Sequence, residues 1–287
     1  NDQGDRGSVR FMSISETYVR EIQLVTNGFS AEFGNTPGLI MNVVTQSGTN
    51  RLDGSISYRF RRPGFYSRPF FYPSPDKVPD NRVDDFAAAI GGPVIKDRWH
   101  FYLAYEVLRR DDKALNLRLL SVPDVDKDKL ILSGLPASIF PVAIPFLDNG
   151  SYYFFRTDAQ LNNNEHLAIR FNHSDLLVNN ALSGGANTME RSIDVATTEN
   201  GLALQLTSYS SRLLNELRVQ YARVRRPTGI GGSRNKFSGV GPSIVIKDVA
   251  NFGAPDVADT VFPLRRIAQF QDNLSRTAGA HVFKIGG

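Results

Sequence analysis

The stretch from Val19 to Phe60 reads VREIQLVTNGFSAEFGNTPGLIMNVVTQSGTNRLDGSISYRF, and its order of short elements decides how the rest of the chain is read. Val19–Thr26 and Ile40–Thr45 are short β runs of strand length, rich in β-branched residues. The small-residue knuckle Ser30-Ala31-Glu32-Phe33-Gly34 separates them. Ser47-Gly48-Thr49-Asn50 then supplies a polar hinge of turn-forming residues. Beyond the hinge, Ser55–Phe60 alternates polar and apolar positions, the period of a strand with one apolar face.

From Leu52 onward that period of two recurs in segments of strand length. Trp99, Phe101, Leu103, Tyr105 and Val107 are separated by His100, Tyr102, Ala104 and Glu106. Leu167, Ile169 and Phe171 alternate with His166, Ala168, Arg170 and Asn172, and Leu202, Leu204 and Leu206 with Ala203, Gln205 and Thr207. Leu217, Val219 and Tyr221 alternate with Glu216, Arg218, Gln220 and Ala222, while Arg156, Asp158 and Gln160 punctuate Phe155–Leu161. Weaker strands are expected at Phe86–Gly91, Leu264–Leu274 and His281–Ile285, for about nine strands beyond the hinge.

The connections alternate in length. Short ones fall at Gly92–Asp97, Asn162–Asn164, Ser210–Leu213 and Ala278–Ala280, and long ones at Arg61–Asp84, Leu108–Gly150, Leu177–Ala196 and Pro227–Phe262. Strict short–long alternation is what outer-membrane barrels show, with tight turns at one rim and long loops at the other. Two solvents explain the patterning of the wall. Lipid accepts no hydrogen bonds, so outward positions are aliphatic or aromatic and every backbone group pairs between strands. The lumen is wet, so inward positions carry polar groups; Arg156, Asp158, Arg170, Arg218 and Arg223 are expected there. Tyr58, Phe60, Tyr105 and Tyr152 are expected in an interfacial aromatic girdle.

Composition narrows the classes. The chain has 287 residues with 41% hydrophobic content, and no run approaches the roughly 18 apolar residues of a membrane-spanning helix. The absence of cysteine removes disulfide frameworks, thiolate zinc sites and cysteine nucleophiles together. A net charge of +4 with scattered Arg and Lys reads as a solvated surface, so no nucleic-acid partner is expected. Asn1–Gly7 lacks a basic-then-apolar leader pattern and Phe283–Gly287 stops inside a strand pattern, so both ends are expected to continue in a longer protein.

The order of knuckle, hinge and aromatic strand resembles the end of the plug domain of a TonB-dependent outer-membrane receptor running into its first barrel strand. In the Oar-like (carboxypeptidase-regulatory-like) branch the region reads roughly S-A-E-Y/F-G, N-V-V-T-K-S-G-T-N, then an aromatic strand; here Leu39-Ile40 replace small residues and Gln46 the usual Lys. Asp85-Phe86 through Gly91-Gly92-Pro93-Val94-Ile95-Lys96-Asp97 and Trp99–Tyr102 resemble the branch's F-G-G-P-I-I-K-D-K-x-F-F-F hairpin. Phe154 to Asp175 resembles its R-x-D-x-Q-L hairpin, Leu135–Ser138 with Pro141–Ala143 resembles one of its loops, and Gln269–Ser275 with His281–Gly287 resembles a hairpin ending in H-x-x-K-x-G-G.

The fold class expected is all-β: a partial antiparallel transmembrane β-barrel of about nine strands, out of about 22 in plugged transporters, preceded by the C-terminal part of a plug. The division is 1–50 for the plug part and 51–287 for the barrel part. The resemblance implies localisation in the cell outer membrane, contact with outer-membrane lipid, capture of a large ligand (peptide, protein or glycan), and coupling to the TonB complex through a segment upstream of this sequence. The alternatives are a passive structural or adhesive surface barrel, an outer-membrane enzyme and a soluble β-sandwich binding module.

No catalytic, cofactor-binding or metal-binding residue is assigned. There is no G-x-S-x-G elbow and no H-E-x-x-H, and Gly229–Arg234 lacks the Lys-Ser/Thr of a phosphate loop. Asp124-Val125-Asp126-Lys127-Asp128 looks like a calcium loop, but Lys129 and Leu135 stand where Gly and Glu are required, so it reads as a solvated loop. The densest aromatic cluster lies in the first long connection. There Phe65, Tyr66, Arg68, Phe70, Phe71 and Tyr72 are the candidate ligand-contacting residues, against the simpler reading of loop self-packing.

Overall fold

The computed structural model describes residues 14–25, 40–68, 80–115, 124–141, 143–226, 236–247, 249–255 and 264–287. Two short strands, β1 (Val19–Val25) and β2 (Ile40–Thr45), form an antiparallel pair of their own. Nine further strands form one antiparallel sheet. These are β3 (Asp53–Arg61), β4 (Arg82–Ile95), β5 (Trp99–Leu115), β6 (Ala143–Asn162), β7 (Glu165–Ala181), β8 (Ile193–Tyr209), β9 (Leu213–Arg225), β12 (Leu264–Ala278) and β13 (His281–Gly286). A hairpin of β10 (Ser243–Ile246) and β11 (Ala250–Gly253) sits in the long connection between β9 and β12. The sheet follows the chain from β3 to β13, each strand beside its predecessor, and among the described residues it is open, with β3 and β13 as edges.

The short connections are tighter than the sequence pattern suggests. Lys96–Arg98, Asn163–Asn164, Ser210–Arg212 and Gly279–Ala280 are all that separate the paired strands at that rim. In the last of these Gly279 takes φ +62° between the paired residues Ala278 and His281. A positive φ confined to the first central residue is what a two-residue type II′ hairpin turn requires. Pro93, which offers the ladder no N–H, is accommodated where the β4–β5 register shifts between Pro93 and Ile95.

At the opposite rim the strands run well past the apolar alternation. β5 continues from Val107 to Leu115, and β6 spans 20 residues. At ~3.4 Å per residue such strands are roughly 55–70 Å long, far more than the 9–11 residues a bilayer needs. The extension is polar on both faces (Arg109, Arg110, Asp111, Asp112 and Lys113), so no period of two marks it. What holds it is the ladder itself, unbroken to Leu115 opposite Ala143, with Arg110 bound to Asp148 at 3.3 Å.

Register assigns the two faces. Leu103, Phe155, Phe171, Leu202 and Tyr221 lie side by side across five strands on one face, and all but Phe155 are strongly exposed. One residue back along β5, Tyr102, Arg156, Arg170, Ala203 and Gln220 form the matching row on the other face. The β1 segment packs on this second, polar face, through Tyr18 against Ala104 and Phe154. The polar face is therefore inside and the apolar face outside.

Two expectations are corrected by this register, and a third by the connection between β5 and β6. Tyr152 faces inward, in the row of Glu106, Ser174 and Glu199, rather than joining the outer aromatic belt. Arg223 faces outward, opposite Asn200 and Arg266, because its neighbours Ala222 and Val224 take the buried inner positions. Asp124–Leu132 is an α-helix, α1, rather than a loop, with Lys129 in its last turn, as the helix dipole favours.

Candidate functional site

Among the described residues the inner face carries a seat for Ser15–Tyr18 and for Thr45–Asn50. Ser15 caps a 3-10 turn (Glu16–Tyr18) by accepting the Thr17 N–H at 3.1 Å, which fixes both hydroxyls toward β5. There the Glu106 carboxylate accepts hydrogen bonds from Ser15 Oγ and, at 2.7 Å, from Thr17 Oγ1. Glu106 is 8% exposed and Ser15 3%, so the pairing takes place away from bulk water, where an unpaired carboxylate is costly.

Tyr18 follows directly. Its ring stacks on Phe154 at 4.4 Å with 7° between planes, in a depression left by the small residues Ala89 and Ala104. Tyr102 closes the side, its ring edge-on to Phe154 at 6.2 Å and its hydroxyl donating to the Thr17 carbonyl at 2.9 Å. Burial raises the Tyr18 phenol above its ordinary pKa.

Lower on the same face, Arg156 Nη1 donates to both the carbonyl and the hydroxyl of Thr45 at 3.0 Å. Asp158 holds that guanidinium from the other side with two bonds of 2.8 Å, a bidentate arrangement that fixes its plane. At the upper margin Arg59 joins Glu16 at 3.3 Å to Asp85 at 2.7 Å.

The polar hinge ends the seat. Asn50 bonds the Asp97 backbone N–H at 2.7 Å, its Nδ2 donates to the Asp97 carboxylate, and its Oδ1 lies 2.8 Å from His100 Nε2. Gly48 crosses the wall so closely that a Cβ there would stand 2.1 Å from the Phe101 carbonyl oxygen. Gly91 and Gly92 of β4 leave room for this crossing. The spaced motifs S-G-T-N and G-G-P are thus two halves of one contact.

Above the apolar band two long connections interlock. Arg191, 6% exposed, donates to Ser243 Oγ and to the Ala254 carbonyl at 2.6 Å. Glu190 accepts the Gly253 N–H at 3.0 Å through its carboxylate and the Gly239 N–H at 2.8 Å through its carbonyl. Asn251 accepts from the Thr188 N–H and donates to the Ala186 carbonyl, at 2.9 and 2.8 Å. The β10–β11 hairpin is in this way locked onto the β7–β8 connection. Glu190 and Arg191 supply side-chain contacts of this junction, beside the amide bond of 2.8 Å from Asn251 to Asn187, and nothing in their spacing announces them.

Of the candidate ligand-contacting residues, Phe65 lies edge-on to Phe60 at 5.6 Å, which itself stacks on Tyr58 at 5.7 Å. It extends an outward aromatic ladder. Tyr66 accepts the Asn81 N–H at 3.1 Å, tying the start of the loop to its end. Arg68 stands at the last described position of that segment, and Phe70, Phe71 and Tyr72 lie outside the described residues. Sequence reasoning found Arg156 and Asp158 but missed Ser15, Thr17, Tyr18 and Glu106. The legible signal for Glu106 was its place among His100, Tyr102 and Ala104 on the inner parity of β5.

A sheet with an apolar outer face, a polar inner face, tight turns at one rim and long interlocked loops at the other is the wall of an outer-membrane β-barrel. The chain belongs to the outer membrane beta barrel domain family, whose model matches residues 44–144 and 132–287. It is 29% identical over 98 residues to the TonB-dependent transporter Oar of Myxococcus xanthus, a match covering 32% of this chain and 9% of that protein. In fold it is similar to the outer membrane transporter YddB of Escherichia coli, with a TM-score of 0.51 and 9% identity over 89% of this chain and 32% of that one. The chain thus spans a small part of the relatives it matches, and it is an outer-membrane protein related to TonB-dependent transporters.

Proposed function

We propose that the chain is part of a TonB-dependent receptor that takes a large ligand across the outer membrane. In this reading residues up to the hinge are the end of a plug held inside the barrel, and the described wall is the first part of that barrel. The observation that carries the proposal is the inner-face seat. Among the described residues its contacts to Ser15–Tyr18 and Thr45–Asn50 are hydrogen bonds, the exposed Arg59–Glu16 ion pair and one aromatic stack, the hydrogen bonds and the stack each worth only about 0.5–3 kcal/mol. Such contacts hold a plug closed yet are separable by a mechanical pull, as energised transport requires. The interlocked loops above the wall supply the ligand-facing surface, with a peptide, protein or glycan as the class of ligand. The protein acts by binding and passage rather than by catalysis.

The test uses the lack of cysteine in this chain, with any cysteine elsewhere in the full-length protein replaced by Ser. The variant Ser15→Cys in the protein assembled in living cells is labelled with a membrane-impermeant maleimide, with and without a collapsed proton gradient. Energised coupling predicts labelling that accelerates several-fold only when the gradient and the TonB complex are both present. Equal labelling in all conditions would leave a passive structural or adhesive barrel.

A further inference from the structure

The outward face carries one feature that a lipid-facing wall does not need. Arg223 of β9 stands directly opposite Arg266 of β12, and Arg225 lies two residues along the same face. All three are exposed. Directly opposed residues in a ladder have Cβ atoms only about 4.5–5.5 Å apart, and like charges there are destabilising. Among the described residues none of the three has a carboxylate within ion-pair distance. The nearest acid on this face among the described residues, Asp175, lies two strands from Arg225 by register and is already engaged by Thr198 and His173, each at 2.9 Å. Two other outward guanidinium groups near the same rim differ: Arg62 pairs with Asp84 at 2.6 Å, and Arg109 donates to the Leu108 and Gly150 carbonyls at 2.9 Å.

Height on the wall says what the three arginines meet. One row below Arg223 and Arg266 stand Tyr221 and Ala268, and below them Val219 and Phe270, the last 69% exposed. The triad therefore sits just above the apolar band, at the long-loop rim and so at the outer leaflet. We propose that Arg223, Arg225 and Arg266 bind the phosphate of a phosphorylated glycolipid of the outer leaflet, with its acyl chains against Tyr221, Val219 and Phe270. Arginine's planar fork matches phosphate bidentately, and one dianion bridging Arg223 and Arg266 converts their repulsion into two charge-assisted contacts. Basic clusters at a membrane surface recognise lipid headgroups by the same chemistry.

The experiment quantifies glycolipid retained by the protein purified from outer membranes in mild detergent, by phosphate analysis and native mass spectrometry. The double variant Arg223→Gln/Arg266→Gln is compared with Arg218→Gln, whose side chain lies on the inner face. Loss of each guanidinium is expected to weaken retention about ten-fold, the size of one charge-assisted hydrogen bond, while Arg218→Gln leaves it unchanged. Monophosphoryl and dephosphorylated glycolipid are then added back to stripped protein; the phosphorylated form is expected to bind and the other not. Equal retention by the double variant, or equal binding of the dephosphorylated form, overturns the proposal. Displacement by inorganic phosphate as effective as by glycolipid overturns the lipid source and leaves a soluble-anion site. If the double variant fails to assemble, the single variants Arg225→Gln and Arg225→Lys give the same decision, since only the charge-removing change should lower retention.

Discussion

Glu106 shows how much one side chain can carry in this wall. It sits on a strand whose other inner positions, Tyr102 and Ala104, receive the same incoming turn, and it takes two hydroxyl donors from a single direction. Replacing it with Ala leaves both hydroxyls of Ser15 and Thr17 without their acceptor in a nearly dry seat, a loss of about 1–3 kcal/mol. Glu106→Ala is expected to open Ser15→Cys to labelling without energy input while leaving the assembled barrel intact on a heat-modifiability gel. Gly48 makes the opposite kind of demand. A side chain there meets backbone oxygen of β5 rather than a movable group, so Gly48→Val is expected to push the hinge off the wall. Protease cleavage within Ser47–Asn50 reports this, and unchanged protection would refute the close crossing.

At the scale of elements, hairpins were legible and loop architecture was not. Parity alone marked where β5 and β7 to β9 cross the bilayer, because lipid on one side and water on the other impose a period of two. Once the strands rise above the lipid both faces meet water, the period vanishes, and the eight residues from Leu108 to Leu115 read as loop although they are paired strand. The β10–β11 hairpin was hidden for a related reason: its stability lies in contacts to Glu190 and Arg191 in a distant connection, not in its own short sequence. Arg191→Ala breaks this junction from the buried side and leaves the Ala254 carbonyl without its donor. The expected result is rapid hydrogen exchange across residues 243–253, with exchange in β7 and β8 below the loops unaltered. Protection that persists in the variant would show the hairpin to be held by other contacts.

For the whole molecule, the two faces are decided by parity, but which one is inside is decided by occupancy. Outward Leu103, Phe171, Leu202, Tyr221 and Phe270 make a band that water would not tolerate, and β3 and β13 present unpaired edges. Residues 51–287 transferred to aqueous buffer without lipid or detergent are therefore expected to associate within minutes, through both the band and the edges. Light scattering checks this, and a monodisperse monomer in buffer would instead favour a soluble sandwich with a shared core.

The amino-acid order by itself determined the class of wall, because the period of two and the alternation of connection lengths are local and arise directly from the two solvents. It also marked the S-G-T-N hinge and the G-G-P motif, since glycine and proline are legible one position at a time, though not that the two meet. The tertiary structure alone decided that Tyr152 turns inward and Arg223 outward, and that Ser15 to Tyr18 meet Glu106, Tyr102 and Phe154. Those pairings join positions 85 or more residues apart, and no local pattern encodes which partner a buried hydroxyl or an outward guanidinium will find across that distance.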